Sequence, residues 1–364
     1  MKTLFMGDII PFGPTLELFE RGETEALFTD TCSLFEGNDV NFVNIEFALT
    51  NAEREVSKFG PALKAKPETA KTIRKLGINY CGLSNNHIFD FGVQGALDSV
   101  KALEDAGIVH TGFGENYEDS RKDLVIEKDG ERLCIIAVCE HEYSYALEDR
   151  MGSRPFDEFD TMEDIRKAKA ENDRVIVIYH GGKEHCRYPS PRLLRVCRAM
   201  VRNGADVVIC QHSHCIGCYE EYKGGHILYG QGNFHYTKLI GFDAPDTWNG
   251  ALAVKYDTST HEIEFIPMVI ASDTAIELAK GEEKERLLTL FERLKQELQS
   301  GEWKQGWHDF CEESRDYYVG FLRKCFPEDA TEREKAVFGH FLDCEAHADV
   351  CRELYPSWNL TNEK

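Results

Sequence analysis

The chain has 364 residues, 42% of them hydrophobic, which is enough to bury a sizeable core and excludes an intrinsically disordered protein. Its 64 acidic and 42 basic residues leave a formal charge of -22, which repels phosphate backbones and anionic membrane surfaces and excludes nucleic acid as a main partner. The 13 cysteines are scattered over the whole length and cannot all pair, which excludes a small disulfide scaffold and fits reduced thiols.

The opening run MKTLFMGDIIPFG is interrupted by Asp8 and Pro11, too short and too polar for a signal peptide or a membrane span. No later stretch reaches the roughly 18 apolar residues a transmembrane helix needs, so the expectation is a soluble, cytoplasmic protein without membrane insertion. Apolar runs predict strands over Thr3–Met6, Asn41–Ile45, Tyr80–Ser84, Leu133–Val138, Arg174–Tyr179, Val207–Cys210 and His226–Tyr229. Between them lie helical stretches: Pro67–Leu76 with proline at a plausible first position, Gly95–Ala106 closed by Gly107, and Ser190–Asn203 closed by Gly204.

Alternation in ALAVKYD and EIEFIPMVI, split by DTSTHE, predicts a β-hairpin over Ala251–Val269. After about residue 274 the pattern becomes that of long amphipathic helices with breaks near Gly301 and Pro327. The expected organisation is an α/β domain over 1–270 and a helical extension over 271–364 packed on it. Trp303, Trp307, Tyr317 and Tyr318 in the extension are read as packing residues rather than as a cover over a site. Cys215 and Cys218 form a lone CxxC with no second pair to complete a zinc site, and are read as structural.

Polar residues collect where strands should end, which is where α/β folds bind ligands. The first strand runs into Gly7-Asp8, the second into Asn44 and Glu46, and the third into Asn85-Asn86-His87. The IVIYH run delivers His180, and the VVIC run delivers Gln211-His212-Ser213-His214. Taken singly, Asp8 reads as a turn or helix cap and Asn85-Asn86-His87 as a turn ended by Asp90 and Gly92. The i, i+2 spacing of His212 and His214 would place both rings on one side of an extended segment. Five strand ends all supplying Asp, Glu, Asn or His, the ligand types of first-row metals, point to one site.

The ordered set GD, NxE, SNNHxxDxG, HGGxE, GADVVICQHSH and YGQGNF resembles the CapA, or poly-γ-glutamate capsule biosynthesis, family, a branch of the calcineurin-like metallophosphoesterases. The resemblance implies a layered α/β sandwich of sheets flanked by helices. It makes Asp8, Glu46, Asn86, His180, His212 and His214 the metal ligands, with Glu46 at the bridging position. It makes His87 the group that serves the leaving oxygen, with Asp8 in the catalytic set as well. Glu184 fits the HxGxE pattern and is read as a further catalytic-set residue, in substrate contact or orienting a ligand. Lys64 and Lys66, before the third strand, and Asn233, in the last motif, are read as substrate-binding.

Four departures accompany the resemblance. Ile10 stands where the superfamily has a histidine ligand, Glu46 is one methylene longer than the expected Asp, Gly181 replaces a tryptophan, and Cys210-Gln211 replaces Gly-His. The expected cofactors are one or two divalent ions, Mn, Fe or Zn. The expected activity is hydrolysis of a phosphoester or related anionic small-molecule or peptide-like substrate. Two alternatives stand beside it: a metal-independent acid–base enzyme, an epimerase or isomerase, in the same pocket, and a non-enzymatic accessory protein of capsule biosynthesis. The sequence sets no oligomeric state.

Overall fold

The computed structural model describes residues 1–237 and 246–356. The last eight positions of the expected extension, 357–364, lie outside the described residues. Along the chain, β1 (Lys2–Ile9), β2 (Val40–Ile45), β3 (Tyr80–Gly82) and β4 (Val109–Thr111) build the parallel half of a first sheet. The strands β5 (Leu124–Lys128), β6 (Glu131–Cys139), β7 (Arg174–His180), β8 (Val207–Gln211), β9 (Tyr219–Tyr222) and β10 (Gly225–Leu228) make a second sheet in the order β9-β10-β8-β7-β6-β5. Then β11 (Asn233–His235), β12 (Ala251–Asp257), β13 (Glu262–Ile270) and β14 (Ile276–Leu278) return to the first, whose order is β14-β13-β12-β1-β2-β3-β4 with β11 also on β1. This is the layered α/β sandwich the sequence leads one to expect, and the expected hairpin is β12–β13.

Alternation along β1 explains the layering. Phe5 faces the second sheet in one core with Phe42, Val254, Val177 and Ile209. Leu4 and Met6 face the other way, into a core closed by Phe19, Phe28, Ile73 and Leu103. The second sheet is buried on both faces, its outer side covered by helices Asp160–Glu171 and Pro191–Arg202. The latter starts on Ser190, whose hydroxyl accepts from the Leu193 N–H at 3.0 Å, with Pro191 in the first turn.

The structure refines several expected boundaries. Helix Gly92–Asp105 starts three residues before the expected Gly95, because Gly92 takes φ +63° and turns the chain into it. Helix Asp160–Glu171 escapes a periodicity reading because Met162, Ile165 and Ala168 are nearly its whole apolar face. The extension runs as helices Gly281–Ser300, Trp303–Glu313, Arg315–Cys325, Glu332–Asp343 and Glu345–Leu354, with breaks at Gly301 and around Pro327. Trp307 and Tyr318 are buried in its own core, as expected of packing residues, whereas Tyr317 is exposed. Among the described residues no helix is long and apolar enough to cross a membrane.

Midway along β1 the neighbour on one side changes. Residues 2–5 pair with β12, and Asp8 and Ile9 pair with β11. At that junction the buried Gln231 amide donates to the Phe5 carbonyl at 2.8 Å and the Leu252 carbonyl at 3.0 Å, and accepts from Gln211 at 3.0 Å. Gly7 is required there, since a Cβ would lie 2.0 Å from the Gly232 oxygen. Replacing Gln231 by leucine strands two backbone carbonyls in the core. Urea unfolding of Gln231→Leu is expected to show a loss of about 2–4 kcal/mol.

Candidate metal centre at the strand ends

The parallel strands of both sheets end at one edge of the sandwich, and their terminal residues meet there. Asp8 and Glu46 come from the first sheet, His180, His212 and His214 from the second. Asp8 Oδ1 accepts from the Asn44 side chain at 2.7 Å, and Oδ2 accepts from the His212 backbone N–H at 3.0 Å. The His180 ring spans the two carboxylates, with Nδ1 3.7 Å from Asp8 and Nε2 3.4 Å from Glu46. His212 Nδ1 lies 3.9 Å from Glu46, and His214 Nδ1 lies 3.7 Å from Asp8.

Two sets of donors result, Asp8–Glu46–His180 and Glu46–His212–His214, each with its ligand atoms within 4.8 Å of one another and all residues buried. Glu46 belongs to both. Its two carboxylate oxygens are buried without a hydrogen-bond partner, as is His212 Nδ1. A buried carboxylate whose nearest donors are imidazole nitrogens at 3.4 and 3.9 Å is incompletely satisfied, so the donor chemistry fits divalent cations bound on either side of Glu46. Burial would raise the Glu46 carboxyl, but the His180, His212 and His214 imidazoles outweigh it and hold it well below the usual carboxylate range. Burial and the Glu46 charge together push the Asp8 carboxyl up. Two adjacent buried acids in these opposed states are what a shared cation would relieve.

His212 and His214 converge differently from the expectation. Neither sits in extended chain: their φ angles are +80° and +55°, so two left-handed residues turn both rings toward Glu46. Holding non-glycine residues there costs about 1–2 kcal/mol each, a strain typical of functional sites. Asn233 Oδ1 lies 2.8 Å from His214 Nδ1 and orients that ring. Ile10 is buried in the apolar core, its backbone N–H bonded to the His235 carbonyl at 2.8 Å, so β1 delivers one ligand and not two.

Asn86 and His87 take separate places. Asn86 Oδ1 is 3.0 Å from His180 Nε2, and its amide donates to Glu142 at 3.1 Å. His87 Nδ1 is 2.7 Å from Asp90 Oδ2 and 3.2 Å from the Lys58 ammonium, which also pairs with Asp90. Glu184 is half-exposed, 4.0 Å from His214 Nε2 and 3.4 Å from Lys183. Lys64 and Lys66 are engaged elsewhere. The Lys64 ammonium donates to the Ala52 carbonyl at 2.5 Å and lies over the Phe91 ring, and Lys66 pairs with Glu20 on the surface at 2.8 Å.

Asp90 is the acid of the SNNHxxDxG motif, although taken singly it reads as a turn residue. Two contributors carried no sequence signal. Lys58 is buried in a loop where a lone lysine reads as surface. Glu142 follows β6 and lies 3.5 Å from His212 Nε2. A cavity of about 390 Å³ opens beside Asn86, lined by Lys58, Tyr143 and Arg150 and walled by His340 and Asp343 of the extension. Cys215 and Cys218 are buried and join no donor group for a metal among the described residues.

The family model "Bacterial capsule synthesis protein PGA_cap" matches residues 2–237, and the chain belongs to that family. It is 29% identical to the capsule biosynthesis protein CapA of Bacillus anthracis over 238 residues, covering 63% of this chain and 58% of that protein. It is 26% identical to the PGA biosynthesis protein CapA of Bacillus subtilis, covering 64% and 63%, and 28% identical to a probable polyglutamine synthesis accessory protein of Mycobacterium tuberculosis, covering 66% and 65%. The chain thus spans less than two thirds of the length of these curated relatives. Among solved structures it is similar to a putative 5'-nucleotidase from Staphylococcus aureus, at 13% identity and a TM-score of 0.45, over 80% of this chain and 58% of that one. A 5'-nucleotidase precursor from Thermus thermophilus aligns at 15% identity and a TM-score of 0.45, over 79% and 58%.

Because Glu46 serves both donor sets, Glu46→Gln is expected to lower bound Mn or Zn from both. Mass-spectrometric metal analysis reads this directly. At a free ion concentration 100 times the dissociation constant, a metal held at the strand-end donors should stabilise the wild type by about 2.7 kcal/mol, and this contribution of the strand-end donors should be lost in the variant.

Proposed function

Proceeding from membership of the PGA_cap family, we propose that the chain is a metal-dependent hydrolase of a phosphoester or related anionic substrate, acting in the synthesis of a capsule or of poly-γ-glutamate. The observation that carries this reading is the partnerless buried carboxylate of Glu46, set between Asp8 and three imidazoles. The residues that would hold divalent ions are Asp8, Glu46, His180, His212 and His214, with Asn86 beside them. Such ions polarise a phosphoryl oxygen and neutralise its charge.

The protein's own residues account for the rest. Asn44 and the His212 backbone hold Asp8 through both carboxylate oxygens, so its orientation is fixed before substrate arrives. Asn233 holds His214 in the same way. Asp90 Oδ2, 2.7 Å from His87 Nδ1, orients the ring and leaves Nε2 as the nitrogen that would serve a departing alkoxide. Lys58 and Arg150 line the adjacent cavity beside Asp90 and Asp343, with Lys58 paired to Asp90, and these two side chains are the lysine and arginine there for an anionic substrate to meet. These two cations take the part first given to Lys64 and Lys66.

The test is hydrolysis of p-nitrophenyl phosphate and its bis ester by protein loaded with Mn or Zn. His87→Asn is expected to lower kcat by about 10²–10⁴-fold while metal content stays unchanged. Fully metal-loaded protein that cleaves neither ester would sink the reading. Activity that survives exhaustive chelation would instead favour the metal-independent acid–base enzyme.

A further inference from the structure

The helical extension carries a donor set of its own. Glu142, in the loop after β6, meets His340 from helix Glu332–Asp343, Cys344 at the break, and His347 from helix Glu345–Leu354. One ligand atom from each lies within 4.8 Å of the others, and all four residues are buried. The chain leaves helical geometry only at Cys344, with φ -71° and ψ 122°, and that single break lets residues from both helices converge on Glu142. Cys344 Sγ is 3.2 Å from Glu142 Oε1, and the His340 and His347 ring centres are 4.6 Å apart.

We propose that Glu142, His340, Cys344 and His347 form a separate metal centre that takes zinc or another thiolate-preferring divalent ion and ties the extension to the strand-end edge. The donor chemistry, one carboxylate, two imidazoles and one thiolate, is a four-coordinate set of the kind zinc prefers. With bond lengths of about 2.0–2.3 Å, tetrahedral ligands stand roughly 3.3–3.8 Å apart, so small side-chain movements close the set around an ion. Binding converts the Cys344 thiol to a thiolate and releases one proton to solvent.

An outer partner is already in place. The Tyr318 hydroxyl, buried in the extension, lies 2.7 Å from His347 Nδ1, which fixes the ring and leaves Nε2 as the ligand atom. Tyr143 stacks on His340 with ring centres 4.6 Å apart, and its φ of +58° shows the loop bent to bring Glu142 and Tyr143 to the extension together. Glu142 also accepts from Asn86 and faces His212, so this centre adjoins the first without sharing any of the five Asp, Glu and His donors assigned there.

Cobalt substitution separates the two centres, because only this one contains sulfur. Protein loaded with Co²⁺ is expected to show a thiolate-to-cobalt charge-transfer band in the near ultraviolet. The band should persist in Glu46→Gln, vanish in Cys344→Ser, and weaken or shift in His347→Gln. Absence of the band in the wild type, or its survival unchanged in Cys344→Ser, would overturn the proposal. Should Cys344→Ser fail to fold by circular dichroism, an unaltered band in folded His347→Gln overturns it equally. The band reports nothing on phosphoester hydrolysis, so it can fail or succeed independently of the hydrolase reading.

Discussion

A carboxylate closed off from water and given no hydrogen-bond donor is the constraint around which this edge of the sandwich is arranged. Glu46 stands one residue past the end of β2, and its backbone N–H still bonds to the Ile9 carbonyl, so it continues the sheet while its side chain enters the gap between sheets. Everything near it either supplies compensating imidazole charge or holds those imidazoles in place. Asn44 reaches both Asp8 and His180, and Asn233 reaches His214. The left-handed turns at His212 and His214 are tolerated for the same end. A neutral residue at position 46 would leave each of these supports without an object.

The site is also a product of topology. β1 has to satisfy two neighbours on one flank, and the Gln231 amide covers the point where one hands over to the other. That handover lets β11 run beside the end of β1 and place Asn233 in register with Asp8. Gln211 reaches across from the second sheet to the Met6 carbonyl, so the two sheets are joined by side-chain amides just below the donors. The spacing of carboxylates from one sheet and imidazoles from the other is thereby fixed by core polar contacts as well as by apolar packing.

Much of this was legible in the sequence because strand ends are legible. A run such as IVIYH announces a buried strand and the polar residue that ends it, and five such endings gave Asp8, Glu46, Asn86, His180 and the His212–His214 pair. Residues on irregular chain were not legible in the same way. Lys58 has no pattern around it, and its burial depends on a pairing with Asp90 that only the folded chain creates. Glu142 sits past the end of β6 in a stretch without periodicity. His340, Cys344 and His347 read as ordinary helical positions, since nothing in a helix pattern says which loop from two hundred residues away will face it. Lys64 and Lys66 stand near a motif in sequence, but that nearness does not set the direction of a long side chain, and their ammonium groups bond to the Ala52 carbonyl and to Glu20.

Gly181, where the family resemblance leads one to expect tryptophan, bears on how the extension was fitted to the rest. A Cβ at this position would stand 2.5 Å from Glu140 Cγ. Glu140 occupies that space because its carboxylate accepts from Arg192 at 2.5 Å and from the Ala346 backbone N–H at 3.2 Å, while Arg192 also binds Asp349 at 2.8 Å. A bulky residue at 181 and a docked final helix therefore compete for one volume. A larger side chain at 181 would displace the Glu140 carboxylate and with it the contacts to Arg192 and Ala346 that dock the final helix.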